Sequence, residues 1–324
     1  MEEKPIREAA ELFLESVRYS RSENTEHTYR NGINAFLAML SEQEIKETDP
    51  VSLLTVSHIG TFAKYLKLYA PSTESLYIGV AKHFYEFLEA ENMGDFNLYK
   101  AKLLIKNRTR KQGVRLPQFP KDDITRILEY AQNLPTLPCE TETDRLINLR
   151  DAAFLITLAD TGLRVHEACA LRVGSINLQS KKAIIIGKGD KQAVVRFSDR
   201  SISMLHNYLL ARGELDGSSG RMLASLPLFA RHDKGAGKKI EPISTKTGRM
   251  IVSNHVRNCL GEEAVGTITP HSFRHYFVTN VLQQTGNLKI AQEFARHNSI
   301  TVTQRYAHLV DNELDDTYDA IFND

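Results

Sequence analysis

Apolar residues recur at three- and four-residue intervals through most of residues 1–105, and the pattern then stops at KNRTRKQGVR, residues 106–115. This break constrains the fold more than any other feature, because it separates two stretches that must each bury their own apolar faces. ELFLESVRYS, TEHTYRNGINAFLAML, SHIGTFAKYLKLY and STESLYIGVAKHFYEFLEAENM each carry the spacing of an amphipathic helix. They predict four or five short helices in a small bundle. Ser22 or Asn24 is positioned to cap the second helix, Ser57 the third, and Ser72, just after Pro71, the fourth. Residues 106–118 contain Gly113 and Pro117, lack helical periodicity, and read as a linker between two domains. A length of 324 residues suits that division.

After Pro120 the pattern resumes. KDDITRILEYAQNL predicts a capped helix, LRDAAFLITLADTG a strongly apolar helix ending at Gly162, and LRVHEACALRV a short helix after it. AIII and AVVRF are β-branched runs flanking GKGDK, which predicts a hairpin. SDRSISMLHNYLLARGEL returns to helix. Residues 216–248, rich in Gly, Ser and Lys, read as an extended loop around the apolar piece SLPLFAR. GRMIVSNHVRNCLGEEA, TPHSFRHYFVTNVLQQTG, LKIAQEFARHN and SITVTQRYAHLV predict further helices. The expected fold class is mainly α with a small antiparallel β-sheet (α+β). The expected domains are residues 1–105, a linker at 106–118, a second domain at 119–310 and a tail at 311–324.

A net charge of +1 hides an uneven distribution. Residues 1–105 hold 11 Lys and Arg against 16 Asp and Glu, and residues 106–115 hold 5 basic residues and no acidic one. Residues 116–310 hold 25 basic against 18 acidic, and residues 311–324 hold 6 acidic and no basic residue. A near-neutral total is therefore compatible with a polyanionic partner. Lys106, Arg108, Arg110, Lys111 and Arg115 suit either a phosphate backbone or a solvated tether. The cysteines Cys139, Cys169 and Cys259 are too few and too scattered for a disulfide framework or a zinc site, and Cys169 in EACAL suits a core position. The first residues, MEEKPIREAAELF, read as a charged amphipathic helix rather than a signal peptide, and no apolar run reaches membrane-spanning length. The default expectation is a cytosolic location.

Six residues in the second part of the chain can handle a phosphodiester: Arg164, Lys188, His271, Arg274, His297 and Tyr306. Arg164 can hold two phosphate oxygens, with Glu167 three residues on to orient it, or it can be an ordinary surface ion pair. Lys188 lies in the glycine-flanked turn GKGDK and can protonate a leaving oxygen; Lys191 competes for that role. His271 and Arg274, in PHSFRH, share one face at a helix start, where anions are favoured. His275 is expected about a quarter-turn away. Tyr306 can be a nucleophile if neighbouring cations or a proton acceptor help remove its proton, and can equally be a core residue.

Each signal is weak alone. Their order is not: Lys188 and His271 follow Arg164 by 24 and 107 residues, Arg274 follows His271 by 3, His297 follows Arg274 by 23, and Tyr306 follows His297 by 9. The set Arg…Lys…His-x-x-Arg…His…Tyr resembles the tyrosine recombinase (phage integrase) family, and within it the Xer-like recombinases and mobile-element integrases. The resemblance is specific over residues 119–310 and general over 1–105, where it implies a helical, SAM-like core-binding domain. It implies that Tyr306 attacks DNA to form a 3′-phosphotyrosyl bond and that Arg164 and Arg274 clamp the phosphate. Lys188 would protonate the leaving 5′ oxygen, His271 would assist proton transfer, and His297 would hydrogen-bond the phosphate. It further implies double-stranded DNA sites as partners, a chain that is monomeric alone and tetrameric on DNA, and neither cofactor nor metal. The tail at 311–324 would be a docking helix exchanged between protomers, or else a helix packed on its own domain. In one place the chain departs from the family pattern: Arg296 stands where the family commonly has glycine. A type IB topoisomerase-like enzyme and a catalytically silent DNA-binding protein are the alternatives.

Overall fold

The computed structural model describes residues 3–110, 120–186, 192–233, 235, 237, 239–296 and 299–304. The chain divides into two compact units, Met1–Arg115 and Leu116–Asp324.

The first unit is a helical bundle of α1 (Ile6–Ser20), α2 (Glu23–Glu42), α3 (Val56–Tyr65), α4 (Pro71–Ala90) and α5 (Leu98–Arg108). On α1 the buried positions are Ile6, Ala9, Ala10, Phe13, Leu14 and Val17, the stripe that a 3.6-residue period dictates. The core is aromatic. Phe36 meets Phe62 edge-on at 5.2 Å, and Phe13 lies 5.4 Å from Phe84. Buried Tyr85 donates to the Thr55 carbonyl at 2.9 Å.

The helix starts differ from those the sequence suggested. Thr55, not Ser57, caps α3, and its backbone N–H donates to His58 Nδ1 at 3.1 Å. Ala70 precedes α4, whose first residue is Pro71, so Ser72 sits inside the first turn. Proline tolerates that place because its missing N–H would be unpaired anyway. Ser22 does occupy the cap position of α2, but its Oγ lies 2.9 Å from Thr25 Oγ1 rather than on a backbone N–H. The linker expected from 106 also begins later. Asn97 caps α5 through Lys100 N, and Leu98, Ala101 and Ile105 extend the helix over Lys106 and Arg108. These cations occupy its last turn, where the helix dipole favours them.

One ion cluster fastens the end of this unit. Glu74 on α4 is 0% exposed. It accepts from Lys67 Nζ, from Arg110 Nε, and from the Arg110 backbone N–H at 2.9 Å. Arg110 Nη2 also donates to the Tyr69 carbonyl at 2.6 Å. Burial alone would raise the Glu74 pKa; the Lys67 and Arg110 hydrogen bonds outweigh it and hold the carboxyl below its usual range. Arg110→Ala keeps the backbone N–H but leaves a buried carboxylate short of one charged donor, and the Tyr69 carbonyl without its own. It is expected to destabilise the first unit by about 1–3 kcal/mol, read as a lower urea midpoint at unchanged slope. An unchanged midpoint would show that Arg110 does not anchor the chain here.

The second unit contains α6 (Lys121–Asn133), α7 (Glu142–Thr161), α8 (Val165–Ala170), β1 (Ile176–Asn177), β2 (Lys182–Ile186), β3 (Gln192–Arg196), α9 (Asp199–Ala211), α10 (Gly213–Ser218), α11 (Thr245–Leu260), α12 (Pro270–Thr285), α13 (Leu288–Ala295) and α14 (Ile300–Gln304). Helix α7 is its centre. Leu149, Ala152, Ala153, Phe154, Leu155, Ile156, Leu158 and Ala159 are all buried, so the helix is covered on every side, by α6, α8, α9 and α12. Cys169 packs into this core, as EACAL suggested.

The sheet is antiparallel in the order β1–β2–β3. Ala183 pairs with Val195 and faces the core with Ile185, while Ile184, Ile186 and Val194 alternate outward into exposure. The short β1 adds a strand to the expected hairpin. The stretch expected as an extended loop is partly ordered: α10 closes at Ser218, and Leu226, Leu228, Phe229 and Ala230 are buried. Arg212, 0% exposed, holds that segment through the Leu228 and Pro227 carbonyls, both at 3.0 Å. No helix among the described residues is long and apolar enough to cross a membrane.

Candidate active site

The site is built where three chain segments of the second unit meet. The first is the end of α7. Gly162 caps it in the left-handed region at φ 58°. A Cβ there would lie 2.4 Å from Phe277 Cδ1 of α12, so only glycine fits both the turn and the packing. The turn delivers Arg164 in an extended conformation as the cap residue of α8.

Glu167 then orients Arg164 twice. It accepts from the Arg164 backbone N–H at 2.9 Å and from Arg164 Nη1 at 2.9 Å. This is a capping-box arrangement in which a charged pair replaces the usual hydroxyl. Glu167 is buried whereas the Arg164 side chain is 43% exposed, so the acid is fixed and the cation faces outward. Burial alone would raise the Glu167 pKa. The Arg164 backbone N–H, Arg296 and the Arg164 side chain reverse this and keep it ionised, below the usual carboxylate range.

The second segment is the start of α12. Pro270 is its first residue, and Thr269 caps it with its N–H donating to Ser272 Oγ at 3.1 Å. His271 is exposed at this end. Arg274, one turn on, is 2% exposed, and its Nη1 and Nη2 donate to the carbonyls of Gly162 and Ala295. The third segment is the end of α13, which supplies Ala295 and Arg296.

Arg164, His271 and Arg274 line one cleft of about 470 Å³, together with Arg249 and Ser253 of α11 and His166 of α8. Partial desolvation against the cleft wall lowers the His271 pKa below the ordinary histidine value although the residue stays open to solvent on one side, and Arg274 and Arg164 lower it further. The ring is therefore neutral at neutral pH and can accept a proton. His275 differs from its expected place. Four residues after His271, it lies on the same helix face, with its ring 4.6 Å from that of His271 in an edge-on contact. Burial, then His271 and Arg274, push it down to about 4.

The structure thus brings Arg164, Glu167, His271 and Arg274 together. Lys188, with its competitor Lys191, and His297, Tyr306, Lys111, Arg115 and the tail at 311–324 lie outside the described residues. Lys106, Arg108 and Arg110 belong to the first unit. Arg108 packs over Gly60 of α3 and Arg110 is paired with Glu74, and both remain exposed. Arg249 and His166 were not singled out from the sequence, because no local motif separates a lone cation facing a cleft from one facing solvent.

The phage integrase family model matches residues 118–313, and the phage integrase N-terminal SAM-like domain matches residues 10–92. The tyrosine recombinase XerC of Treponema denticola is 27% identical over 296 residues, 90% of this chain and 90% of that protein. XerC of Listeria welshimeri is 28% identical over 312 residues, 94% of this chain and 93% of that protein. Among solved structures, the XerH site-specific recombinase in a post-cleavage complex with palindromic difH DNA has a similar fold. Its TM-score is 0.68 at 16% identity, covering 93% of this chain and 80% of that one. The Tn1549 transposon integrase in complex with transposon right-end DNA gives 0.65 at 16% identity, covering 96% and 98%. With the phage integrase model matched over more than half of the chain and the N-terminal domain model matched before it, the chain belongs to the phage integrase family of tyrosine recombinases.

Proposed function

We propose that the chain cuts and rejoins double-stranded DNA at specific sites through a covalent link to Tyr306. The observation that carries this is the convergence of Arg164, His271 and Arg274 on one cleft, from segments more than a hundred residues apart. Two guanidiniums, each held by groups of the fold, can meet the two non-bridging oxygens of a phosphate without reorganising as charge builds. The Tyr306 oxygen attacks the phosphorus, a 3′-phosphotyrosyl bond forms, and the bond to the 5′ oxygen breaks. Neutral His271 takes the tyrosine proton and Lys188 gives one to the leaving 5′ oxygen, while His297 hydrogen-bonds the phosphate. The 5′-hydroxyl of a partner strand then attacks the phosphotyrosyl bond and releases Tyr306. One phosphoester replaces another at each step, so the exchange requires no external energy source.

In this reading the DNA partner is gripped largely through backbone phosphates, with affinity that falls steeply with salt. The working assembly is a homotetramer on two sites, and the acidic tail at 311–324 docks between protomers. Incubating the full chain with randomly nicked genomic DNA of its host tests the reading. A nick beside the cut lets the short strand diffuse away and strands the enzyme on DNA. Detergent denaturation and precipitation of protein should carry DNA down, and mass spectrometry should place the nucleotide on the peptide containing Tyr306. Absence of an adduct, or an adduct on another residue, would overturn it.

A further inference from the structure

Arg296 sits where the family commonly has glycine, and the backbone shows what that glycine is for. The residue ends α13 in the left-handed region, at φ 56° and ψ 42°. Non-glycine residues adopt this conformation only when surrounding contacts hold them in it. Here the side chain supplies those contacts. It turns inward and is 13% exposed. Nη2 lies 3.5 Å from Glu167 Oε2 and donates to the Gly162 carbonyl at 3.2 Å, and Nη1 reaches the Thr161 carbonyl at 3.5 Å. Its Nε is buried with no partner among the described residues. Burial lowers the guanidinium pKa, and Glu167 pulls it back up.

We infer that Arg296 is a positioning residue: it holds the Glu167 carboxylate that Arg164 also engages and so sets where the Arg164 guanidinium stands in the cleft. This rests on the recombinase reading above. The Glu167 carboxylate is shared, with Oε1 and Oε2 both serving Arg164 and Oε2 also facing Arg296. The Gly162 carbonyl is shared as well, accepting from Arg274 and from Arg296. The two arginines together tie the end of α13 to the α7–α8 junction, and Arg296 immediately precedes His297 in the chain. In this chain the departure from the family pattern therefore adds a support for the phosphate-binding arginine.

Three proteins test this on a nicked DNA fragment captured by the wild type: wild type, Arg296→Gly and Arg296→Lys. Arg296→Gly relieves the backbone while deleting the guanidinium, so it should fold with a thermal midpoint at least that of the wild type. It should bind the fragment within about twofold of wild type, since backbone contacts dominate affinity. Its single-turnover cleavage should be slower by about tenfold or more, the scale on which a misplaced catalytic group is felt. Arg296→Lys, which keeps a charge near Glu167, should recover part of the rate. The deficit of Arg296→Gly should shrink on a fragment whose scissile phosphate is a neutral methylphosphonate, because Arg164 then has less charge to meet. Wild-type cleavage by Arg296→Gly, or an equal deficit on both fragments, would overturn the inference. Failure of the wild type itself to form an adduct would strike the recombinase reading instead.

Discussion

Tyr306→Phe is expected to bind nicked DNA within about twofold of the wild type and to form no covalent adduct. The substitution removes one oxygen and leaves the ring. Removing a nucleophile typically costs several orders of magnitude, so single-turnover cleavage should fall by roughly 10⁴-fold or more. Binding should survive because it depends on many cation–phosphate contacts rather than on one hydroxyl. The informative comparison is between the two assays on one preparation: a gel shift with graded salt, and detergent-trapped adduct. An adduct persisting in Tyr306→Phe would assign the nucleophile elsewhere. Loss of both binding and adduct would show that the hydroxyl serves folding or DNA binding and not attack alone.

Arg274→Ala is expected to lose both stability and cleavage, and the structure separates the two causes. The side chain is buried, and its donors satisfy the Gly162 and Ala295 carbonyls. Alanine strands the Ala295 carbonyl, leaves that of Gly162 to Arg296 alone, and opens a cavity, at a cost of about 2–5 kcal/mol. Cleavage in the fraction that remains folded should drop by roughly 10³-fold, the usual scale for removing a preorganised charge from a transition state. Arg274→Lys is the control. An ammonium keeps the charge but cannot span two carbonyls as a planar fork does. It should therefore recover some stability and little cleavage. A urea midpoint for Arg274→Ala equal to that of the wild type would refute the bridging role.

Much of this was legible in the sequence, for reasons that differ between parts of the molecule. Helices α1, α2 and α6 announce themselves because one face is buried and the other wet, so composition alternates with the helical period. Gly162 announces the end of α7 because the left-handed turn excludes a Cβ. The order of Arg164, His271 and Arg274 survived because a shared cleft demands those groups whatever the intervening loops do. Other features were hidden. The cap of α3 is Thr55 rather than Ser57, a choice settled by the reach of His58, which no window of residue types contains. Arg110 reads as one cation in a basic run, yet its partner Glu74 is 36 residues away in sequence. Arg296 reads as a departure from a motif; only the backbone angle and the distant Glu167 show what the side chain replaces.

Helix α7 carries a cost that the finished molecule conceals. It is apolar on nearly every side, and the α12 helix that covers part of it begins more than a hundred residues after α7 ends. During synthesis at ~5–20 residues per second, that delay is roughly 5 to 20 s. For those seconds the face of α7 that α12 will cover lies open to whatever surrounds the ribosome. The yield of this protein in a foreign host should therefore depend more on elongation speed and holding chaperones than on the stability of the folded form.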